Sequence, residues 1–311
     1  MSNLMNVGGQ AVIEGVMMKS PNYVAVAIRK PNQTITVKEM PYNSLTNKFK
    51  FLQWPFIRGI VLLFEMLILG LKSLTFSANE AMSEEDEEEL SGLAIFTTLV
   101  VSLSFSVGLF LVLPYALTYL LGLTEETAPI LFNLVDGVIK LSIFIGYIYL
   151  ISLMNDIKRV FQYHGAEHKA VNCYEAGKKL TVKNAQRFTT INARCGTSFM
   201  LFVILIGVLV FSLVPVLIQG IFPGFSSLNF WLQRILLLAA RLLFLLPLAS
   251  ISYEVLKTSA KHSDNSLFKI IMWPGLMVQR LTTRPPTDDQ VKVALESMKF
   301  VLRKEELLVI K

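Results

Sequence analysis

Residues 93–122 contain no charged side chain, and neither do residues 197–221. A bilayer core about 30 Å thick needs roughly 20 apolar residues of helix to cross it, and both runs exceed that. In hydrocarbon the backbone must satisfy its own hydrogen bonds, so a crossing segment of this kind is a helix. Two further runs, 130–156 and 229–254, are nearly as apolar but carry Asp136, Lys140, Arg234 and Arg241. Only 17% of the chain is charged, and its mean hydropathy is +0.54, whereas ordinary soluble domains carry about 25% charged residues. The expectation is a mainly α integral membrane protein.

Residues 51–79 are apolar but interrupted by Arg58, Glu65 and Lys72, which are seven apart and share one helical face. Charge bias bears on whether this segment crosses. Residues 1–92 hold eight Lys and Arg, 157–195 hold eight and 256–311 hold ten, while 123–129 and 222–228 hold none. Basic loops favour the cytoplasm. Four spans put all three basic regions on that side; a fifth would separate the first from the others. The reading is therefore four transmembrane helices plus one re-entrant or interfacial helix, in a multi-pass protein of the cell membrane with both termini cytoplasmic. The net charge of +6 is assigned to these loops rather than to nucleic-acid binding.

The chain then divides into a β-containing segment at 1–50, the helix at 51–79, a membrane domain at 93–255 with a cytoplasmic loop at 157–195, and a cytoplasmic segment at 256–311. Tyr23 to Ile28 and Thr34 to Glu39 alternate as strands, with a Pro31-Asn32-Gln33 turn between them, which predicts a β-hairpin. Gly8-Gly9 before another alternating run suggests a strand that approaches something closely. The acidic run 84–89 reads as a solvated linker. The span at 130–156 is expected to run on as one helix to a C-cap at Gly177, and Thr181 to cap a short helix.

Chemistry concentrates at His164-Gly165-Ala166-Glu167-His168-Lys169, which holds two of the three histidines. Positions i, i+3 and i+4 share a helical face, so His164, Glu167 and His168 point together. Two imidazoles so spaced, with a carboxylate beside them, are a common way to hold a transition metal, and H-x-x-E-H inverts the zincin order. The bland alternative is a membrane-proximal helix whose histidines bond to carboxylates or lipid phosphate. A catalytic zinc site needs a third protein ligand. Glu254 is the first choice because it ends the last span on the same side; Glu175 and Glu14 follow. Cys195 is read as a nucleophile or thiolate ligand if Arg194 lowers its pKa, and otherwise as a small buried residue opening a span. Arg241, near the middle of its span, must be paired or face a wet cavity, and it suits an anionic substrate group.

Three stretches together resemble the YqhQ family of bacterial membrane proteins: Gly9-Gln10-Ala11-Val12-Ile13-Glu14-Gly15-Val16-Met17-Met18, the His164 to Lys169 stretch, and Arg194-Cys195-Gly196-Thr197-Ser198-Phe199. Ser252-Tyr253-Glu254, Trp273-Pro274-Gly275 and Gln279-Arg280-Leu281-Thr282 extend the likeness over most of the chain. The resemblance implies a metal-dependent enzyme of unassigned substrate. One departure is Asn192, where the family pattern implies a histidine.

Two functions follow. The first is a metal-dependent hydrolase at the cytoplasmic membrane face, with a divalent metal, zinc first, on His164, His168 and Glu254. Glu167 acts as base, with Cys195 and Arg241 as further catalytic groups, on a peptide or lipid-linked substrate drawn from the bilayer. The second is a transporter or channel-like protein, a homo-oligomer if four spans do not suffice, with the intramembrane charges lining a polar path.

Overall fold

The computed structural model describes residues 5–81, 92–124, 127–262 and 265–309. The acidic run 84–89 lies outside them, as does the side chain of Arg234.

The first strands are β1 (Gly8–Val12), β2 (Gly15–Lys19), β3 (Tyr23–Arg29) and β4 (Ile35–Pro41), paired antiparallel in the order β1-β2-β3-β4. The expected hairpin is β3–β4, in a register running from Tyr23 opposite Pro41 to Arg29 opposite Ile35. Alternation along β2 and β3 serves two cores, because successive side chains point to opposite faces. Val16, Met18, Ala25 and Ala27 join one cluster; Met17, Val24, Val26 and Ile28 join the other.

The helices follow as α1 (Leu45–Lys48), α2 (Ile57–Ala81), α3 (Gly92–Val107), α4 (Leu113–Leu120), α5 (Pro129–Ile151), α6 (Asn155–Glu175), α7 (Val182–Ala185), α8 (Gly196–Ile221), α9 (Phe230–Lys261), α10 (Ser266–Thr282) and α11 (Asp288–Val309). A π turn at Gly108–Val112 joins α3 to α4 in one long helix. Among the described residues five helices are long and apolar enough to cross a membrane: α2, α3–α4, α5, α8 and α9. The expectation of four spans treats α2 differently, and length alone leaves α2 able to cross.

The sheet lies between α2 on one face and α6 with α11 on the other. Alanine at 25 and 27 lets α11 come close enough for Ser297 Oγ to donate to the Ala25 carbonyl at 2.9 Å. Opposite, Ser77 Oγ of α2 accepts the Ile13 N–H at 3.2 Å. The membrane helices pack through glycine in the same way: Gly137 of α5 faces Val208 of α8, and Gly207 of α8 faces Leu248 of α9.

One sequence expectation is corrected here. The α5 span does not continue into the histidine helix. The chain turns through Ser152 to Met154, where Met154 is extended at ψ 134°, and α6 starts afresh. The helix therefore leaves the line of the span and swings under the sheet. Its end is as expected, with Gly177 left-handed at φ 64°, and so is the cap of α7 by Thr181.

Candidate metal centre

Helix α6 has two working faces. Arg159 and Tyr163 point toward the sheet and meet the Glu14 carboxylate in the β1–β2 turn, where Glu14 sits at φ 53°. His164 and His168 point toward the 189–197 loop and the end of α10. Glu167 stands between these faces, buried against Gly9 of β1. A Cβ at Gly9 would lie 2.8 Å from Glu167 Cγ, so the close approach expected at this glycine is onto the candidate site.

Both imidazoles are held by backbone carbonyls. His164 Nδ1 meets the Thr282 carbonyl at 2.8 Å, and His168 Nδ1 meets the Thr190 carbonyl. A carbonyl only accepts, so each ring carries a proton on Nδ1 and turns Nε2 inward. His164 Nε2 faces Cys195 Sγ at 3.2 Å. One donor atom each from His164, His168 and Cys195 lies within 4.8 Å of the others. Cys195 also caps α8, its sulfur accepting from the Thr197 N–H. Glu167 Oε2 is 3.5 Å from His168 Nε2. Burial pushes the His168 imidazole down, but the Glu167 charge and the hydrogen bond and charge of Cys195 outweigh it, and its pKa is raised from the ordinary 6.5.

Second contacts fasten this arrangement. Lys169 donates to the carbonyls of Gln186 and Phe188 at 2.7 and 2.6 Å. Asn172 donates to those of Thr189 and Ile191. These bonds clamp the loop that presents the Thr190 carbonyl to His168. Gln279 of α10, fully buried, accepts from the Asn192 N–H and donates to the Asn192 carbonyl and to Ser198 Oγ, which fixes the start of α8 and so Cys195. Gly165 is needed for the other imidazole: a Cβ there would come 2.1 Å from the Arg284 carbonyl, so only glycine lets the segment after α10 cross α6 and offer Thr282 to His164. Sequence reasoning missed Lys169, Asn172, Gln279 and Gly165 as site residues. The i+4 step from His168 to Asn172 and a glutamine amid the apolar residues of α10 were the available signals.

The donor set suits a transition metal. Imidazole and thiolate are the ligands zinc takes, each histidine is oriented by an outer hydrogen bond, and three donors leave a position open beside a carboxylate.

The predicted residues are not all brought together. Glu254, the expected third ligand, is paired outside the cluster: Arg58 of α2 holds it with two hydrogen bonds of 2.7 and 2.5 Å. The runners-up are also engaged, Glu175 by Arg194 at 2.7 Å and Glu14 by Arg159. Cys195 stands in the third place. Arg241, expected as a catalytic group, is placed away from the cluster. It donates to Asn133 Oδ1 at 3.2 Å, in the first turns of α5. Gly137, one turn later, meets Val208, which is 13 residues along α8 from Cys195. At 1.5 Å per residue that is roughly 20 Å from the cluster. Asn192 is no ligand either, since its side chain bonds Asn172 Oδ1 and the Arg194 N–H.

Comparison with known proteins agrees with the motifs. A relative from Bacillus subtilis (strain 168), described as "Uncharacterized protein YqhQ", is 38% identical over 320 residues, which cover 96% of this chain and 93% of the relative. No solved structure matches. A family profile described as "Protein of unknown function (DUF1385)" matches residues 54–304, and with the whole-chain likeness to YqhQ it establishes that this multi-helix, membrane-type chain belongs to that family.

Proposed function

We propose that the protein is a membrane-bound, metal-dependent hydrolase whose divalent metal, zinc in the first instance, is held by His164, His168 and Cys195. The observation that carries this reading is the convergence of two Nε2 atoms and one sulfur, with both Nδ1 protons tied to carbonyls. A cation in that set supplies Lewis acidity toward a carbonyl or phosphoryl oxygen and acidifies water. Glu167 is the general base: it takes the proton from the attacking water and returns it to the leaving group. The Glu167 carboxylate is buried and stands beside His168 rather than in bulk solvent, which keeps its proton transfer local. A peptide bond or the ester of a lipid-linked intermediate are the substrates such chemistry serves.

The test is elemental analysis of the detergent-purified protein beside the double variant His164→Ala/His168→Ala. Near one transition metal per chain, lost in the variant, is the expected result. Equal metal in both, or none in either after reconstitution with zinc, overturns the assignment. The cluster would then be structural, and proton or ion movement along the intramembrane charges would be the function to pursue.

A further inference from the structure

We infer that α2 does not cross the membrane but lies along its surface, so that the chain makes four crossings and presents α2 to the lipid head groups. Two observations carry this, and neither involves a metal.

The first is parity. The sheet precedes α2, α6 lies between α5 and α8, and α11 follows α9, yet these three form one packed body. Ser297 donates to the Ala25 carbonyl, and Glu305 accepts from the Asn22 N–H and side chain at 2.8 and 2.9 Å. Glu14 pairs with Arg159, and Gly9 abuts Glu167. A packed body stands on one side of a bilayer. The apolar helices between the sheet and α6 are α2, α3–α4 and α5, so an even number of them cross. Between α6 and α11 stand α8 and α9, already even. Five crossings are therefore impossible for this fold.

The second observation says which helix stays out. Both ends of α2 are held at the end of the bundle that carries the sheet. Its last three turns bond to the sheet through Ser73 to Met17, Ser77 to Ile13, and Glu80 to Lys30. Its start is held by Arg58 on Glu254 and by Gly59 against Ser250 and Tyr253. Gly207 meets Leu248, so in antiparallel α8 and α9 the Ser250 to Glu254 turn lies beside the first turns of α8 after Cys195. A helix that crossed would have to reach the far end of α9, about 30 Å away. By contrast, α5 runs along α8 past Gly137 and Val208, and α3–α4 holds no charge.

The outer face of α2 fits a lipid surface. Phe64, Leu67, Ile68, Leu71 and Leu74 repeat at helical spacing and are exposed, while Leu69, Gly70, Ser73 and Ser77 on the other side are buried. Exposed Phe51, Trp54 and Phe56 continue the stripe just before α2, with Lys48 and Lys50 beside them. Aromatic and basic residues flanking an amphipathic helix are what holds one in the head-group layer.

The test uses single cysteines at exposed positions, read as added labelling by a membrane-impermeant maleimide in right-side-out and inverted vesicles, with buried Cys173 and Cys195 left in place. Asn32→Cys, Gly92→Cys, Lys178→Cys and Lys292→Cys are expected to label from one side, and Thr127→Cys and Ser227→Cys from the other. Gly92 on the side opposite Asn32 would mean that α2 crosses, and would overturn the inference; so would Asn32 opposite Lys178. A second arm reads depth in the Trp231→Phe/Trp273→Phe variant, where Trp54 alone fluoresces. Stronger quenching by lipids brominated near the carbonyl end of the chain than near the methyl end is expected. No quenching by either, which a second protein copy covering the stripe would produce, overturns it as well.

Discussion

The buried cluster on α6 and the buried cluster on α5 are built from similar materials but differ in what they leave over. On α5, Lys140 sits on Asp136 and Arg241 donates to Asn133, so cations and acceptors largely answer one another inside the bundle. Among the described residues one acceptor there, Asp136 Oδ1, has no hydrogen-bond partner. On α6, both imidazoles donate outward from Nδ1, to Thr282 and Thr190, and two Nε2 atoms and one sulfur converge. Burial and polarity are common to both. Convergence of three metal-ligating atoms distinguishes the second, and that is the condition for holding a cation.

The largest effect that would break this comparison is on metal content. Cys195→Ser or His168→Ala is expected to reduce bound metal from about one per chain to background, while Asp136→Asn leaves it unchanged. Elemental analysis of the three variants checks this, and metal loss in Asp136→Asn would erase the distinction.

Next in size is the α5 pair. Lys140→Met strands the Asp136 charge and is expected to cost about 3–5 kcal/mol, read as a lower unfolding temperature in detergent. Replacing both partners, Asp136→Leu with Lys140→Met, should restore most of that loss, because an apolar pair leaves nothing unpaired. Failure of the double variant to recover would give this cluster a role beyond packing.

Gly165→Ala probes the outer support of the α6 cluster. The added methyl has to displace the Arg284 backbone, at an expected cost of about 1–3 kcal/mol. Loss of the Thr282 bond should loosen metal binding by roughly 10–100-fold, measured by competition with a chelator.

The smallest expected effect lies where α11 pins the sheet. Burial pushes the Glu305 carboxyl up, but its bonds from Asn22 and Ser20 outweigh that and hold its pKa below the ordinary 4.5. A depressed folded pKa stabilises at pH values above the ordinary one, and that contribution fades as the pH falls through the folded value. Glu305→Gln should cost about 1 kcal/mol near neutrality and little once the pH has fallen through the folded value, seen as a flatter dependence of unfolding temperature on pH. An unchanged profile would remove this bond from the sheet's support.

Much of this was legible along the chain because it depends on neighbours in sequence. The face shared by His164, Glu167 and His168 follows from helical spacing, the β3–β4 hairpin from alternation around a turn, and the end of α6 at Gly177 from its left-handed backbone. The third donor was not. Glu254 and Cys195 are both polar residues at the end of a long apolar helix on the histidine side, and nothing local ranks them. Arg58 separates them from 196 residues away, by holding Glu254 while Cys195 joins the histidines.

What the sequence determined by itself is that this chain has membrane-length helices, an amphipathic histidine helix and a small sheet, since hydrophobic runs, periodicity and turn chemistry are properties of short stretches. Tertiary structure decided which groups meet. The break at Ser152 to Met154 turned α6 under the sheet, Gly165 let the segment after α10 cross it, and Gln279 set the start of α8 so that Cys195 faces His164. A donor set is a matter of a few ångströms between residues far apart in the chain, and packing alone sets those distances.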